Sequence, residues 1–137
     1  ADLAAHAEAA RLPAELQVGD VRIHASLAPT AWLNADIASR YGIEPDRDVQ
    51  MLLVGVRRGP LHDETSLPAR VQVHVRDLRG VRQVVPMHEV RADGFIDYVG
   101  SVRVAPPDTV AFEVSVLREG SDTPDVLRFS RDVFPLR

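Results

Sequence analysis

The sequence of 137 residues has no cysteine and no lysine, and its aromatic residues are four Phe, two Tyr and one Trp. Lack of cysteine excludes disulfides, thiolate nucleophiles and cysteine-ligated metals. No apolar run approaches the ~20 residues that cross a bilayer, so the mature chain is expected to be soluble and not membrane-spanning. Sixteen arginines stand against 20 acidic residues, giving a net charge of -4 and a pI near 5.7. The arginines are spread along the chain, and the overall field repels nucleic acid, so no nucleic-acid partner is expected. The use of arginine alone fits a GC-rich coding bias, although its planar fork also suits carboxylates and phosphates.

Reactive patterns are also missing. Ser26, Ser39, Ser66, Ser101, Ser115, Ser121 and Ser130 lie in no nucleophile-elbow context, and no glycine-rich phosphate loop occurs. Asp93-Gly94 and Asp97 read as hairpin and surface residues. The chain is expected not to be an enzyme and to carry no cofactor.

What is present is strand periodicity. VRIHASL alternates Val21, Ile23, Ala25 and Leu27 with Arg22, His24 and Ser26, the pattern of a half-buried strand. VQMLLVGVRR, from Val49 to Arg58, is apolar at both parities and predicts a central strand. ARVQVHVRDL turns Val71, Val73 and Val75 inward and Gln72, His74 and Arg76 outward. VRQVVPMHEV loses its alternation at Pro86, which cannot donate to a ladder, so an edge or bulged strand is expected there. Asp93-Gly94 is a hairpin signal. FIDYVGSVRV, DTVAFEVSVL and VLRFSRDVF supply three more strands.

One helix is expected over about Ala31 to Tyr41, where Leu33, Ile37 and Tyr41 recur every four residues and Gly42 stands at the end. About seven strands, one short helix and no βαβ alternation predict an all-β, immunoglobulin-like antiparallel sandwich. Residues 1–15 read as an arm and 16–137 as a single domain. Trp32 is expected to plug one end of the sandwich, the alternative being a binding anchor.

Five histidines, His6, His24, His62, His74 and His88, with Met51 and Met87, are the potential metal ligands. No histidine pair has the i, i+4 or H-x-H spacing that brings two imidazoles to one ion, so no metal site is expected. The loop GPLHDETSLP groups His62, Asp63 and Glu64, but consecutive loop residues splay apart, and a solvated turn is the expected reading. The start ADLAAHAEAA has small-x-small spacings of the kind found near signal-peptide cleavage sites, and it fits an alanine-rich arm equally well.

IHA at Ile23 to Ala25, IASRYGI at Ile37 to Ile43 and LRFSRDVF at Leu127 to Phe134 together resemble the domain-of-unknown-function family 4426. Its members are small proteins of the bacterial envelope similar to immunoglobulin-type sandwiches. The likeness runs from about Leu16 to the C-terminus and departs from the family pattern at Ala25, where an aromatic residue follows the histidine. It implies a sandwich, a cleaved signal peptide and a periplasmic address, and it implies no activity.

Two function classes follow. The first is a non-catalytic periplasmic module that binds another envelope protein or component through an edge strand or an outer sheet face. The second is a carrier of a small ligand or of copper. For the first, Arg22 and His24 on one strand and Gln72, His74 and Arg76 on another are the candidate partner-binding residues. If both strands share a sheet, they form one cationic patch suited to an anionic partner. The sequence leaves the oligomeric state open.

Overall fold

Alternating valines pair into two antiparallel sheets whose apolar faces meet. The computed structural model describes residues 13–60 and 62–135. The strands are β1 (Ala14–Val18), β2 (Val21–Pro29), β3 (Val49–Arg58), β4 (Thr65–Ser66), β5 (Ala69–Arg76), β6 (Arg82–Val85), β7 (His88–Ala92), β8 (Phe95–Arg103), β9 (Asp108–Arg118) and β10 (Asp125–Val133). The first sheet has the order β1-β2-β3-β8-β7, with β4 beside β3; the second has the order β10-β9-β5-β6. This is the expected all-β sandwich.

Ten strands replace the predicted seven for three local reasons. Ala14–Val18, of which the sequence reading left Ala14 and Glu15 in the arm, pairs with β2, so the folded domain already includes Ala14. Residues 1–12 of that arm lie outside the described residues. Thr65–Ser66 makes a two-residue pairing with β3. VRQVVPMHEV divides at Pro86, where the chain leaves the edge of the second sheet as β6 and joins the edge of the first as β7. Gly100 makes room for this crossing, since a methyl group there would lie 2.8 Å from the Pro86 carbonyl oxygen and 2.8 Å from Val85 Cγ1.

Ile23, Leu52, Val54, Val56, Val73, Val99, Val102, Val114 and Val116 are fully buried. Most belong to the core between the sheets, where Phe112 and Phe129 stack with ring centres 4.8 Å apart. The Tyr98 hydroxyl crosses this core to accept the Ala69 N–H at 2.8 Å. Val99 instead lies in a smaller cluster with Met51 and Ile43. There Leu33, just before the helix, and Tyr41, its last residue, cover the outer side of β3 and β8, so the central strand is buried on both faces as its composition predicts.

The helix α1 covers Ala35–Tyr41 and is shorter than predicted, because the Asn34 side chain caps it by accepting the Ile37 N–H. A separate 3-10 turn occupies Thr30–Trp32. Gly42 ends α1 in the left-handed conformation, at φ 66°. The predicted plug is corrected: Trp32 is 71% exposed. Its turn is anchored instead by fully buried Thr30, whose Oγ1 accepts the Asp46 N–H at 2.9 Å and lies 2.7 Å from the Val49 carbonyl oxygen.

Candidate functional site

The two halves of the predicted patch lie on opposite outer faces of the sandwich. Arg22 and His24 project from β2 in the first sheet, whereas Gln72, His74 and Arg76 project from β5 in the second. The single patch expected if the strands shared a sheet therefore does not form. Strand parity gave the outward direction of each residue, but which sheet a strand joins depends on long-range pairing.

The first face carries a network that neutralises itself. Arg22 pairs with Glu64 at 2.7 Å and with Glu15 at 3.6 Å. Arg57 is only 7% exposed; it donates to Asp97 at 2.6 Å and to the Ile96 carbonyl oxygen at 2.9 Å, and its guanidinium lies over the Phe95 ring at 4.8 Å. His24 lies within this network, its ring over Gly55, the residue opposite it on β3. Burial lowers its pKa, and Arg57 and Arg22 lower it further, against the opposing pull of Asp97 and Glu15. The imidazole is accordingly held neutral at pH 7, enclosed by charges that already have partners.

Glu64 supplies the role of the GPLHDETSLP loop. His62 and Asp63 are exposed, while Glu64 turns back onto the sheet and fastens the loop to Arg22. Arg57 escaped the sequence reading, because VQMLLVGVRR is apolar at both parities and marks no outer side. Its partner Asp97 and the Arg22–Glu64 pair depend on contacts 40 and 42 residues apart, which leave no local signature.

The second face is different. DLRGV closes the β5–β6 hairpin: the Asp77 carboxylate accepts the N–H groups of Arg79 and Val81, each at 2.9 Å, and Gly80 takes φ 84°. Desolvation would raise the Asp77 pKa, but these hydrogen bonds, led by that from Val81, outweigh it and hold the carboxyl below its usual value. The register that results sets Arg76 directly opposite Arg82, and His74 opposite Val84. Like charges placed opposite one another repel, and neither arginine forms an ion pair among the described residues.

In the next strands, Glu113 lies opposite His74 and pairs with Arg128 at 3.2 Å. These residues line an open depression of about 810 Å³ across β10, β9, β5 and β6. Gln72 lies on the same face, opposite Ser115, and outside the depression. Arg82 and Arg128 escaped the sequence reading, although closing the hairpin about Arg79-Gly80 would have brought Arg82 to Arg76.

Metal ligation finds no geometry here. Among the described residues no three His, Cys, Asp or Glu groups converge. The His88 ring nitrogen Nε2 lies 2.7 Å from the Tyr41 carbonyl oxygen, and Met51 is buried in the small cluster beside α1. Met87 packs against Gly100. His6 lies outside the described residues.

No curated protein is similar to the chain at a significant level. A solved DUF4426 family protein from Pseudomonas aeruginosa PAO1 is 18% identical, with a TM-score of 0.78, over 91% of this chain and 97% of that one. FetP from uropathogenic Escherichia coli strain F11 gives a TM-score of 0.64 at 8% identity, over 92% and 97% of the two chains. A copper-bound variant of FetP gives 0.61 at 7% identity, over 90% and 97%. At these identities the likenesses establish the sandwich alone. The model of the domain of unknown function DUF4426 matches residues 15–135, and the chain belongs to that family.

Proposed function

We propose that this protein is a non-catalytic periplasmic module that binds another envelope protein or component through the outer face of its second sheet. The observation that supports this reading is the juxtaposition of Arg76 and Arg82, two exposed arginines without carboxylate partners among the described residues, in a chain whose net charge is -4. Where like charges face each other without compensation, an anionic partner relieves the repulsion and gains two-pronged hydrogen bonds. On the first face Glu64, Glu15 and Asp97 already occupy Arg22 and Arg57, the arginines that flank His24. The resemblance to a family of envelope proteins, and the sandwich shared with FetP expressed in the periplasm, support the periplasmic address. The test is affinity recovery from an envelope fraction: wild type retains a specific component, and Arg76→Glu with Arg82→Glu loses it at unchanged melting temperature. Undiminished recovery by the double variant would refute this reading.

Copper carriage is the second reading, and it draws on the sandwich shared with copper-bound FetP. Ligand binding to the native state raises the melting temperature. A rise of several degrees with a few equivalents of copper, reversed by chelator, would favour the carrier. An unchanged value favours the partner-binding module.

A further inference from the structure

The depression ends at β6, which pairs with β5 along one side and with no strand along the other among the described residues. Such an edge offers backbone donors and acceptors to an incoming strand. Around it lie three exposed aliphatic residues, Leu78 and Val81 in the hairpin turn and Val84 on the strand, the last 67% exposed. Arg82 and Val84 share the outward side of β6, two residues apart, with Arg76 immediately behind Arg82. The edge therefore combines open backbone, a pair of uncompensated cations and an apolar side chain, in a fixed order.

We infer that β6 receives an extended acidic peptide segment that adds to the sheet as a further strand. The inference rests on the partner-binding reading above and names the chemistry of the partner. In the added strand an acidic side chain faces Arg82 and Arg76, and an apolar side chain two residues away faces Val84, because side chains on one face of a strand recur every second residue. The four residues of β6 span about 13 Å, so the recognised segment is short. Pro86 bounds it at one end and the Asp77–Val81 turn at the other.

An anionic lipid surface fits less well. Glu113, paired with Arg128, places a carboxylate in the same depression, and that charge repels a dense array of phosphates. A headgroup also makes no use of an open strand edge.

The test is a titration of the isotope-labelled full chain, followed through its amide resonances. The probe is a capped hexapeptide with glutamate and valine alternating along one face and threonine along the other. Two further versions carry N-methyl groups on one or the other alternate set of amides. Vesicles of phosphatidylcholine with phosphatidylglycerol form a separate arm.

The expected result is a response centred on β6 and the outward residues of β5. Affinity should fall about ten-fold or more for one N-methylated version, and similarly for Arg76→Glu with Arg82→Glu. Arg76→Gln with Arg82→Gln serves if the reversed variant fails to fold. Equal binding of both N-methylated versions, a response confined to the first sheet, or binding to vesicles without binding to peptide would overturn strand addition. If the peptide fails while envelope recovery still depends on Arg76 and Arg82, strand addition falls and the partner-binding reading stands. If recovery ignores those arginines, the broader reading falls.

Discussion

Gly55 and His24 form a pair whose coupling can be measured. A methyl group on Gly55 would overlap Nε2 of His24, and it would lie 2.5 Å from Cε1 and 3.1 Å from Cδ2 of the same ring. Ordinary carbon contacts start near 3.5 Å, so the imidazole must lift off β3. Arg22 and Arg57, both held by carboxylates, flank the space into which it would move. Gly55→Ala is thus an overpacking substitution and should cost about 1–3 kcal/mol. His24→Ala removes a half-buried ring from an outer face and should cost under about 1 kcal/mol. In the double variant the clash no longer exists, so most of the Gly55→Ala loss should return, as a favourable coupling of about 1–2 kcal/mol. Urea unfolding of the four proteins, compared at constant m, supplies the cycle. Strict additivity would refute the packing argument. Gly100 is the contrasting case: its added methyl group meets the Pro86 backbone as well as Met87 Sδ, so Met87→Ala should not rescue Gly100→Ala.

Three further outcomes follow from buried polar groups. Arg57→Ala strands Asp97 and should cost about 2 kcal/mol in urea unfolding, below the 3–5 kcal/mol of a fully buried pair because Asp97 keeps 20% of its side chain exposed. Tyr98→Phe leaves the Ala69 N–H without its acceptor inside the sandwich and should cost about 1–3 kcal/mol, whereas a loss near zero would show that this bond contributes nothing. His24 should make stability depend on pH: its folded pKa is lowered, so the unfolded chain takes up the proton first. Its contribution is complete above about pH 6.5, falls as pH drops from there to the folded pKa, and is flat below it. His24→Gln should remove that slope between wild-type and variant curves, and an unchanged slope would contradict the placement of the ring between two arginines.

Local physics made much of the fold legible. Val71, Val73 and Val75 lie inward as their alternation requires, and Gly42 and the Asp93-Gly94 turn take the positive φ angles that those residues favour. Pro86 marked a true break, but its meaning, a strand changing sheets, depends on where Gly100 admits the crossing chain. Trp32 misled for a related reason: apolar character alone argues for burial, yet Thr30 anchors the turn by hydrogen bonds and the indole stays outside. The candidate patch failed in the same way. Arg22 and Arg76 point outward as read, but the pairing that sends β2 and β5 to different sheets, and that brings Glu64 to Arg22, spans tens of residues. The short-range part, Arg76 opposite Arg82 across five intervening residues, was within reach of turn chemistry.

The most direct test of the central claim compares two charge reversals of equal size. One variant carries Arg76→Glu and Arg82→Glu on the outer face of the second sheet; the other carries Arg40→Glu on α1 and Arg47→Glu in the loop before β3, which are also exposed. Both change the net charge of the protein by the same amount, so any difference reports location. Quantitative recovery of envelope components on immobilised protein should fall for the first variant and match wild type for the second, with the melting temperatures of all three alike. Equal recovery by the two variants, whether both retained or both reduced, would contradict a specific anionic partner at Arg76 and Arg82.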